Sequence, residues 1–211
     1  MEKIKFNQLY HSHNNITSLV NITCEFKKNK RYLIIGNKHS GKSTICNLIK
    51  GLTKRKRGSI RIDDKSFKVP TQRKLAFLAE NTHLYINIKV LNLIYYYRDS
   101  YELFDTKLAI NLFNKLNLNI KKTVPLLLQE EKEIILFILT LCRKADFYLL
   151  DNPLSSFSTR KKAKIIKFVF DHLDTNNCII ITTDSYDDCT STFDFIMYLS
   201  NGYLIDQVDM R

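Results

Sequence analysis

Apolar residues follow two rhythms along this chain. At 32–35 (Tyr-Leu-Ile-Ile), 146–150 and 178–182 they run almost without interruption over four or five positions, which is the mark of strands buried on both faces. At 86–97, 106–118 and 159–173 they recur every three or four positions, which predicts amphipathic helices. The segment 129–142 is apolar nearly all round and predicts a longer helix, while 43–50 predicts a short one with Ile45, Leu48 and Ile49 on one face and Gly51 as its stop. Further short strands are expected at 59–62, 75–78, 195–199 and 203–205, the last two joined as a hairpin by Asn201-Gly202. Two β-rich stretches near the start, 18–26 and 31–35, read as antiparallel strands. Buried strands alternating with helices give an α/β fold with a parallel sheet, an antiparallel β part at the N-terminus and a helical subdomain inserted at about 82–142.

Length and composition narrow this picture without deciding function. The 211 residues suffice for one well-filled core, so a single domain over 1–211 is expected. The chain is 45% hydrophobic and 26% charged, in the ordinary globular range. The longest apolar block, 134–141, falls far short of the roughly 18 residues a membrane-spanning helix needs. The start, Met-Glu-Lys-Ile-Lys-Phe-Asn, has no apolar export core, so a cytoplasmic location is expected. Five cysteines without a C-x-x-C pair read as free core thiols in a reducing compartment. A net charge of +12 is compatible with nucleic acid, an anionic membrane surface or plain lysine-rich usage. Its densest run, Lys54-Arg55-Lys56-Arg57, precedes Gly58 and reads as a solvated turn.

One segment carries specific chemistry. Gly36-Asn37-Lys38-His39-Ser40-Gly41-Lys42-Ser43-Thr44 matches G-x-x-x-x-G-K-[ST] in full, after a predicted strand and at the opening of a predicted helix. In that setting the glycines let backbone N–H groups curl around phosphates and the helix N-terminus adds its positive end. Lys42 is placed to reach the terminal phosphates, and Ser43 offers a hydroxyl to Mg²⁺. His39 reads as loop filler rather than a base. Some 110 residues on, the apolar run Phe147-Tyr148-Leu149-Leu150 ends in Asp151, which fits a Mg²⁺-holding carboxylate.

With these two anchors the order of features resembles the nucleotide-binding domains of ABC transporters over nearly the whole chain. Gly51-Leu52 followed by Gly58-Ser59-Ile60-Arg61-Ile62-Asp63, the stretch Asp151-Asn152-Pro153-Leu154-Ser155, and the closing Tyr198-Leu199-Ser200-Asn201-Gly202-Tyr203-Leu204-Ile205 all resemble that family. The resemblance implies a P-loop NTPase core, ATP and Mg²⁺ as ligands, and work alongside polytopic membrane subunits at the inner face of the membrane. It places Tyr10 about where the family stacks an aromatic ring on adenine, and Glu80 where the family keeps a glutamine facing Mg²⁺.

The same resemblance marks departures. Asn152 stands where the family keeps the glutamate that polarises the attacking water, and an amide cannot accept a proton. Thr183 stands at the switch-histidine position. Leu127-Leu128-Gln129-Glu130-Glu131 replaces the Leu-Ser-Gly-Gly-Gln signature that one subunit offers to the γ-phosphate held by another. These losses imply weak hydrolysis by this chain and a heteromer with a more typical ATP-binding subunit. A non-hydrolysing structural or regulatory subunit is the alternative, and a small P-loop nucleoside or nucleotide kinase a more distant one. No nucleic-acid partner is expected, since neither heptads nor a repeat is present.

Overall fold

The uninterrupted apolar runs form the middle of a six-stranded sheet. The computed structural model describes residues 2–13, 16–66, 68, 74–84, 86–173, 176–185 and 190–210. In chain order the strands of this sheet are β3 (Arg31–Ile35), β6 (Leu75–Leu78), β7 (Phe147–Leu150), β8 (Cys178–Thr183), β9 (Phe195–Ser200) and β10 (Tyr203–Asp209). They lie in the order β10-β9-β3-β8-β7-β6, all parallel except β10, which returns antiparallel along β9. Every residue of β7 and β8 is buried, as the unbroken apolar pattern requires of strands covered on both faces.

A second, four-stranded sheet comes from the N-terminal part. It contains β1 (Lys3–His13), β2 (Ile16–Lys27), β4 (Arg57–Ile62) and β5 (Lys65–Ser66) in the order β2-β1-β4-β5, antiparallel throughout. The expectation that 18–26 and 31–35 pair antiparallel is therefore corrected. β2 pairs with β1, whereas β3 lies in the other sheet between β8 and β9, parallel to both. The reason is burial: β2 alternates exposed and buried positions as a one-sided strand does, while β3 is buried at Tyr32, Leu33, Ile34 and Ile35 in succession.

Alternate residues of the central strands feed two cores. Tyr32, Ile34, Phe147, Leu149 and Ile180 pack with the N-terminal sheet and with Ile45, Leu48 and Ile49 of helix α1 (Lys42–Lys50). Leu33, Ile35, Tyr148, Leu150, Ile179 and Ile181 face the opposite core. That core is covered by α2 (Val90–Ser100), α3 (Thr106–Lys115), α4 (Gln129–Leu141) and α5 (Thr159–Phe170). Four of the cysteines, Cys24, Cys46, Cys142 and Cys178, are buried and free; Cys189 lies outside the described residues. No helix among the described residues is long and apolar enough to cross a membrane.

The parallel arrangement puts the C-terminal ends of β3, β6, β7 and β8 along one edge. Ligands of open α/β sheets bind at that edge, outside the carboxyl ends of the strands.

Candidate functional site: a phosphate loop and its carboxylates

The chain leaves β3 at Ile35, turns through residues 36–41 and enters α1 at Lys42. Gly41 caps α1 at φ 108°, in the left-handed region, and a Cβ there would stand 2.5 Å from the Ser18 carbonyl oxygen and 2.6 Å from Leu19 Cδ2. Glycine is thus required by both conformation and space. The first hydrogen bond into the helix runs from the Ile45 N–H to the Gly41 carbonyl, at 3.1 Å. The N–H groups of residues 42–44 precede it and have no helical acceptor, which is how a helix start presents donors to an anion. The first turn of α1 contains no acidic residue.

The loop is braced from outside. The Gly202 N–H donates to the Ser40 carbonyl at 3.0 Å, and the Val20 N–H donates to the Gly202 carbonyl at 2.8 Å. The β9–β10 turn, with Asn201 and Gly202 both at positive φ, is therefore part of the support of the loop.

Lys42 is only 6% exposed. Its ammonium donates to the carbonyls of Gly36 at 2.6 Å and Asn37 at 2.8 Å, and it pairs with Asp184 Oδ1 at 2.9 Å. Ser40 is buried beneath it, its Oγ 3.4 Å from Lys42 Nζ, while Asn37, Lys38 and His39 are exposed, His39 at φ 65°. A cleft of about 470 Å³ opens over the loop. Besides residues 38–44 it is lined by Ile16, Thr17 and Ser18 from β2, and by Glu80, Asn81, Asp151, Asn152 and Asp184.

Asp151 follows β7 and is buried. Its Oδ1 accepts from Thr182 Oγ1 at 2.6 Å, and the Ser43 hydroxyl also bonds to it. Loss of hydration pushes its carboxyl above the usual range, against the pull of those two hydroxyls, with nearby Glu80 pushing the same way as burial. A divalent cation would relieve that cost. Ser43, Asp151 and Glu80 supply oxygen donors of the hard type Mg²⁺ prefers. Among the described residues no group of three or more His, Cys, Asp or Glu stands at metal-holding spacing, and Mg²⁺ at phosphate sites commonly takes only one or two protein carboxylates beside waters and phosphate oxygens. The residues fit the ion.

Asn152 adopts φ 44°, a conformation asparagine tolerates. Its N–H donates to Thr182 Oγ1 at 2.9 Å, and its side-chain Nδ2 donates to Glu80 Oε1 at 2.8 Å and to Asp184 Oδ2 at 3.3 Å. Two acceptors around one amide group fix which end is nitrogen. Thr183 is buried, its hydroxyl donating to the Ser185 carbonyl at 3.0 Å, and it does not line the cleft. Its neighbour Asp184 does. Tyr10 is half-buried on β1, opposite Arg57 of β4, and does not line the cleft either. Sequence reasoning passed over Ile16, Thr17, Ser18 and Asp184; the only signal for Asp184 was its place immediately after a buried strand.

The segment that replaces the signature in the resemblance, 127–131, lies at the start of α4. Glu130 and Glu131 occupy its first turn, and Glu131 Oε2 accepts the Leu128 N–H at 2.6 Å and the Lys122 ammonium at 2.9 Å. This is half of a capping box, since Leu128 has no hydroxyl to return the bond.

A strand, a curled loop with an inward lysine, a helix start bare of acids and a buried aspartate at the end of β7, two strands away, now stand together, and the comparisons bear on them directly. The ABC transporter family model matches residues 19–155, well over half of the chain. The chain belongs to the ABC transporter family. A Mycoplasma genitalium protein described as an ABC transporter ATP-binding protein is 31% identical over 179 residues, covering 82% of this chain and 66% of that protein. The chain thus spans just under two thirds of that relative's length. A lantibiotic transport ATP-binding protein of Streptococcus pyogenes is 24% identical over 96% of this chain and 89% of its own. The solved structure of an ATP-binding subunit of an ABC transporter superposes with a TM-score of 0.81 at 16% identity, covering 98% of this chain and 90% of that one. That likeness establishes the fold: an ABC nucleotide-binding domain with its parallel core, N-terminal antiparallel sheet and helical insertion.

Proposed function

We propose that this chain is the ATP-binding subunit of an ABC transporter, holding Mg²⁺-ATP at residues 36–44 and coupling that binding to movement in separate membrane subunits. The observation that carries the reading is the Lys42 ammonium, buried and pointed by the Gly36 and Asn37 carbonyls at the mouth of a glycine-bounded loop. Backbone N–H groups of the loop and α1 meet the phosphates, Lys42 meets the terminal ones, and Ser43, Asp151 and Glu80 hold the ion. Mg²⁺ supplies charge neutralisation on the transferring phosphoryl oxygens.

The partners are polytopic membrane subunits and a second, more typical ATP-binding subunit. The heteromeric reading is supported by the start of α4, where Glu131 already fills the helix N-terminus and Glu130 pairs with Lys161 at 2.6 Å. A phosphate brought there by a second copy would meet carboxylates instead of free N–H groups. Location at the inner face of the membrane follows from this assignment.

Titration with a fluorescent ATP analogue tests the binding claim: Lys42→Ala should bind on the order of 10- to 100-fold more weakly than the parent, and equal weak binding by both would sink it. For the heteromer, ATPase activity is measured on mixing with a candidate partner ATP-binding subunit that keeps the signature, the glutamate and the histidine. No gain over either protein alone would count against that part.

A further inference from the structure

We propose that the turn from Gly51 to Gly58 forms a second anion site, apart from the phosphate loop, and that its ligand is a small molecule carrying two phosphate groups, bound without a metal ion.

The turn joins α1 to β4, at the end of α1 away from the phosphate loop. Its run Lys54-Arg55-Lys56-Arg57 is exposed, as in a solvated turn, but the backbone beneath it is held at several points. Gly51 closes α1 at φ 78°, and the Leu52 N–H donates to the Asn47 carbonyl at 2.9 Å, so that helix-end carbonyl is spent and does not face an incoming anion. Thr53 Oγ1 lies 2.8 Å from Nε2 of His11, a buried side chain whose Nδ1 is 2.6 Å from Ser18 Oγ. The Lys56 N–H donates to the Tyr10 carbonyl at 2.8 Å. Gly58, at φ 81°, packs so closely on the bulge of β1 that a Cβ there would lie 2.2 Å from the Gln8 carbonyl oxygen. The cations are thus carried on a frame already fixed, which lowers the cost of ordering them around a ligand.

Beside the run opens a cleft of about 540 Å³, a size typical of small-molecule sites. All four cations line it, Leu48 and Ile60 give it an apolar wall, and among the described residues no carboxylate borders it. The Arg55 guanidinium is steadied by one bond, from Nε to the Gly58 carbonyl at 2.8 Å, and keeps its remaining N–H groups to offer. Among the described residues, Lys54, Lys56 and Arg57 have no carboxylate partner. The other lysine-rich stretch of the chain is neutralised. There Lys27 pairs with Glu25 at 3.6 Å, Lys28 with Glu2 at 3.4 Å and Lys30 with Asp194 at 3.6 Å. Like charges gathered around one cleft repel, and an anion placed among them turns that repulsion into attraction.

The ligand's chemistry follows from this lining. A phosphomonoester carries about −1.5 to −2 at neutral pH, so two of them balance the four cations of the run. Guanidinium groups match phosphate oxygens in pairs, and the lysines add point charges. The carbon skeleton between the phosphates lies against Leu48 and Ile60. The cleft over the phosphate loop is the opposite case, since Glu80, Asp151 and Asp184 line it and call for a cation beside the anion. At residues 51–58 a divalent ion would only compete with the lysines for the phosphates.

The test is isothermal titration calorimetry on the purified chain in EDTA and without nucleotide. Fructose bisphosphate is the probe, and inorganic phosphate, fructose, and phosphatidylcholine vesicles containing phosphatidylglycerol are the comparisons. The bisphosphate should bind at least about tenfold more tightly than inorganic phosphate, because its second phosphate binds as part of the same molecule, and fructose should not bind. Lys54→Gln combined with Lys56→Gln should weaken it on the order of tenfold, the loss of two solvent-screened charge contacts. Lys164→Gln combined with Lys167→Gln, which removes the same charge from exposed positions of α5, should stay within about threefold of the parent. Excess Mg²⁺ should weaken binding. Unchanged affinity in the Lys54 and Lys56 variant, or an equal loss in the α5 variant, overturns the proposal, the first by placing the probe elsewhere and the second by reducing the effect to net charge. A bisphosphate no tighter than inorganic phosphate overturns it as well, as does binding to the vesicles with none to the soluble bisphosphate. The ATP-binding reading of residues 36–44 stands or falls separately, by titration of the ATP analogue.

Discussion

Two helices of this chain begin where the family brings phosphates, and their first turns are built in opposite ways. α1 opens after Gly41 with no acid in its first turn, N–H groups without helical acceptors and a buried ammonium beside them. α4 opens after Leu128 with Glu130 and Glu131, and one of those carboxylates already accepts the leading N–H. The same backbone geometry, with its partial positive charge, thus has its donors unspent in one place and met by a side-chain carboxylate in the other. A helix terminus is a site only while its donors are unspent. On the proposed reading, α1 holds a phosphate and the start of α4 offers little to one held by a second subunit.

The contrast can be broken most forcefully at α1. Lys42→Ala removes a charge-assisted contact to the ligand, and at about 1.5–3 kcal/mol for such a bond nucleotide affinity should fall on the order of 10- to 100-fold, read by titration with a fluorescent ATP analogue. Preserved affinity would remove the distinction between the two helix starts. A smaller effect of opposite sign is expected from Asp184→Asn. It frees Lys42 from a carboxylate that the phosphate must displace, and because Asp184 is about a third exposed the gain is discounted for solvent, to about three- to tenfold tighter binding. Weaker binding would mean that Asp184 assists the ligand instead.

At α4 the effects belong to stability alone. Glu131→Ala leaves the Leu128 N–H without its acceptor and should cost about 1 kcal/mol, or about 2–4 °C in Tm for a chain of this size, with nucleotide affinity unchanged. Any gain in affinity of the isolated chain would show that this terminus competes for phosphate. The smallest effect is a pH dependence. The Leu128 N–H, with help from Lys122, holds the Glu131 carboxyl below the ordinary glutamate value. A group depressed in the folded state stabilises the fold above its unfolded value and loses that contribution as pH falls through its folded one. Glu131→Gln should therefore be less stable than the parent at neutral pH and converge with it below the usual glutamate range, measured by urea denaturation across pH. A difference that persists at low pH would put the stabilisation in packing, not in charge.

How much of this was legible in the sequence depended on how local each feature is. The phosphate loop was, because its glycines, lysine and serine are contiguous and flanked by a strand and a helix. Helices α1, α3, α4 and α5 and strands β6, β7, β8 and β9 fell close to their predicted places because each buries a periodic or continuous apolar set. β1 was not read as a strand over its length, since bulges around Gln8, at φ 45°, break its alternation and shift its register against both neighbours. The partner of β3 was missed because it lies nearly 150 residues away, although the unbroken run Tyr32-Leu33-Ile34-Ile35 was already the pattern of a strand buried on both faces. At the site, Asn152 was legible as an amide next to Asp151. That its amide ties Glu80 to Asp184 was not, since that contact joins three segments up to about a hundred residues apart.

The measurement that meets the central claim most directly is hydrogen exchange of the purified chain with and without Mg²⁺ and a non-hydrolysable ATP analogue, because one experiment reads both helix starts. Protection is expected across residues 36–46, with the exchange of residues 128–133 unchanged. Protection at the start of α4 equal to that at the loop, or none at the loop, would contradict it.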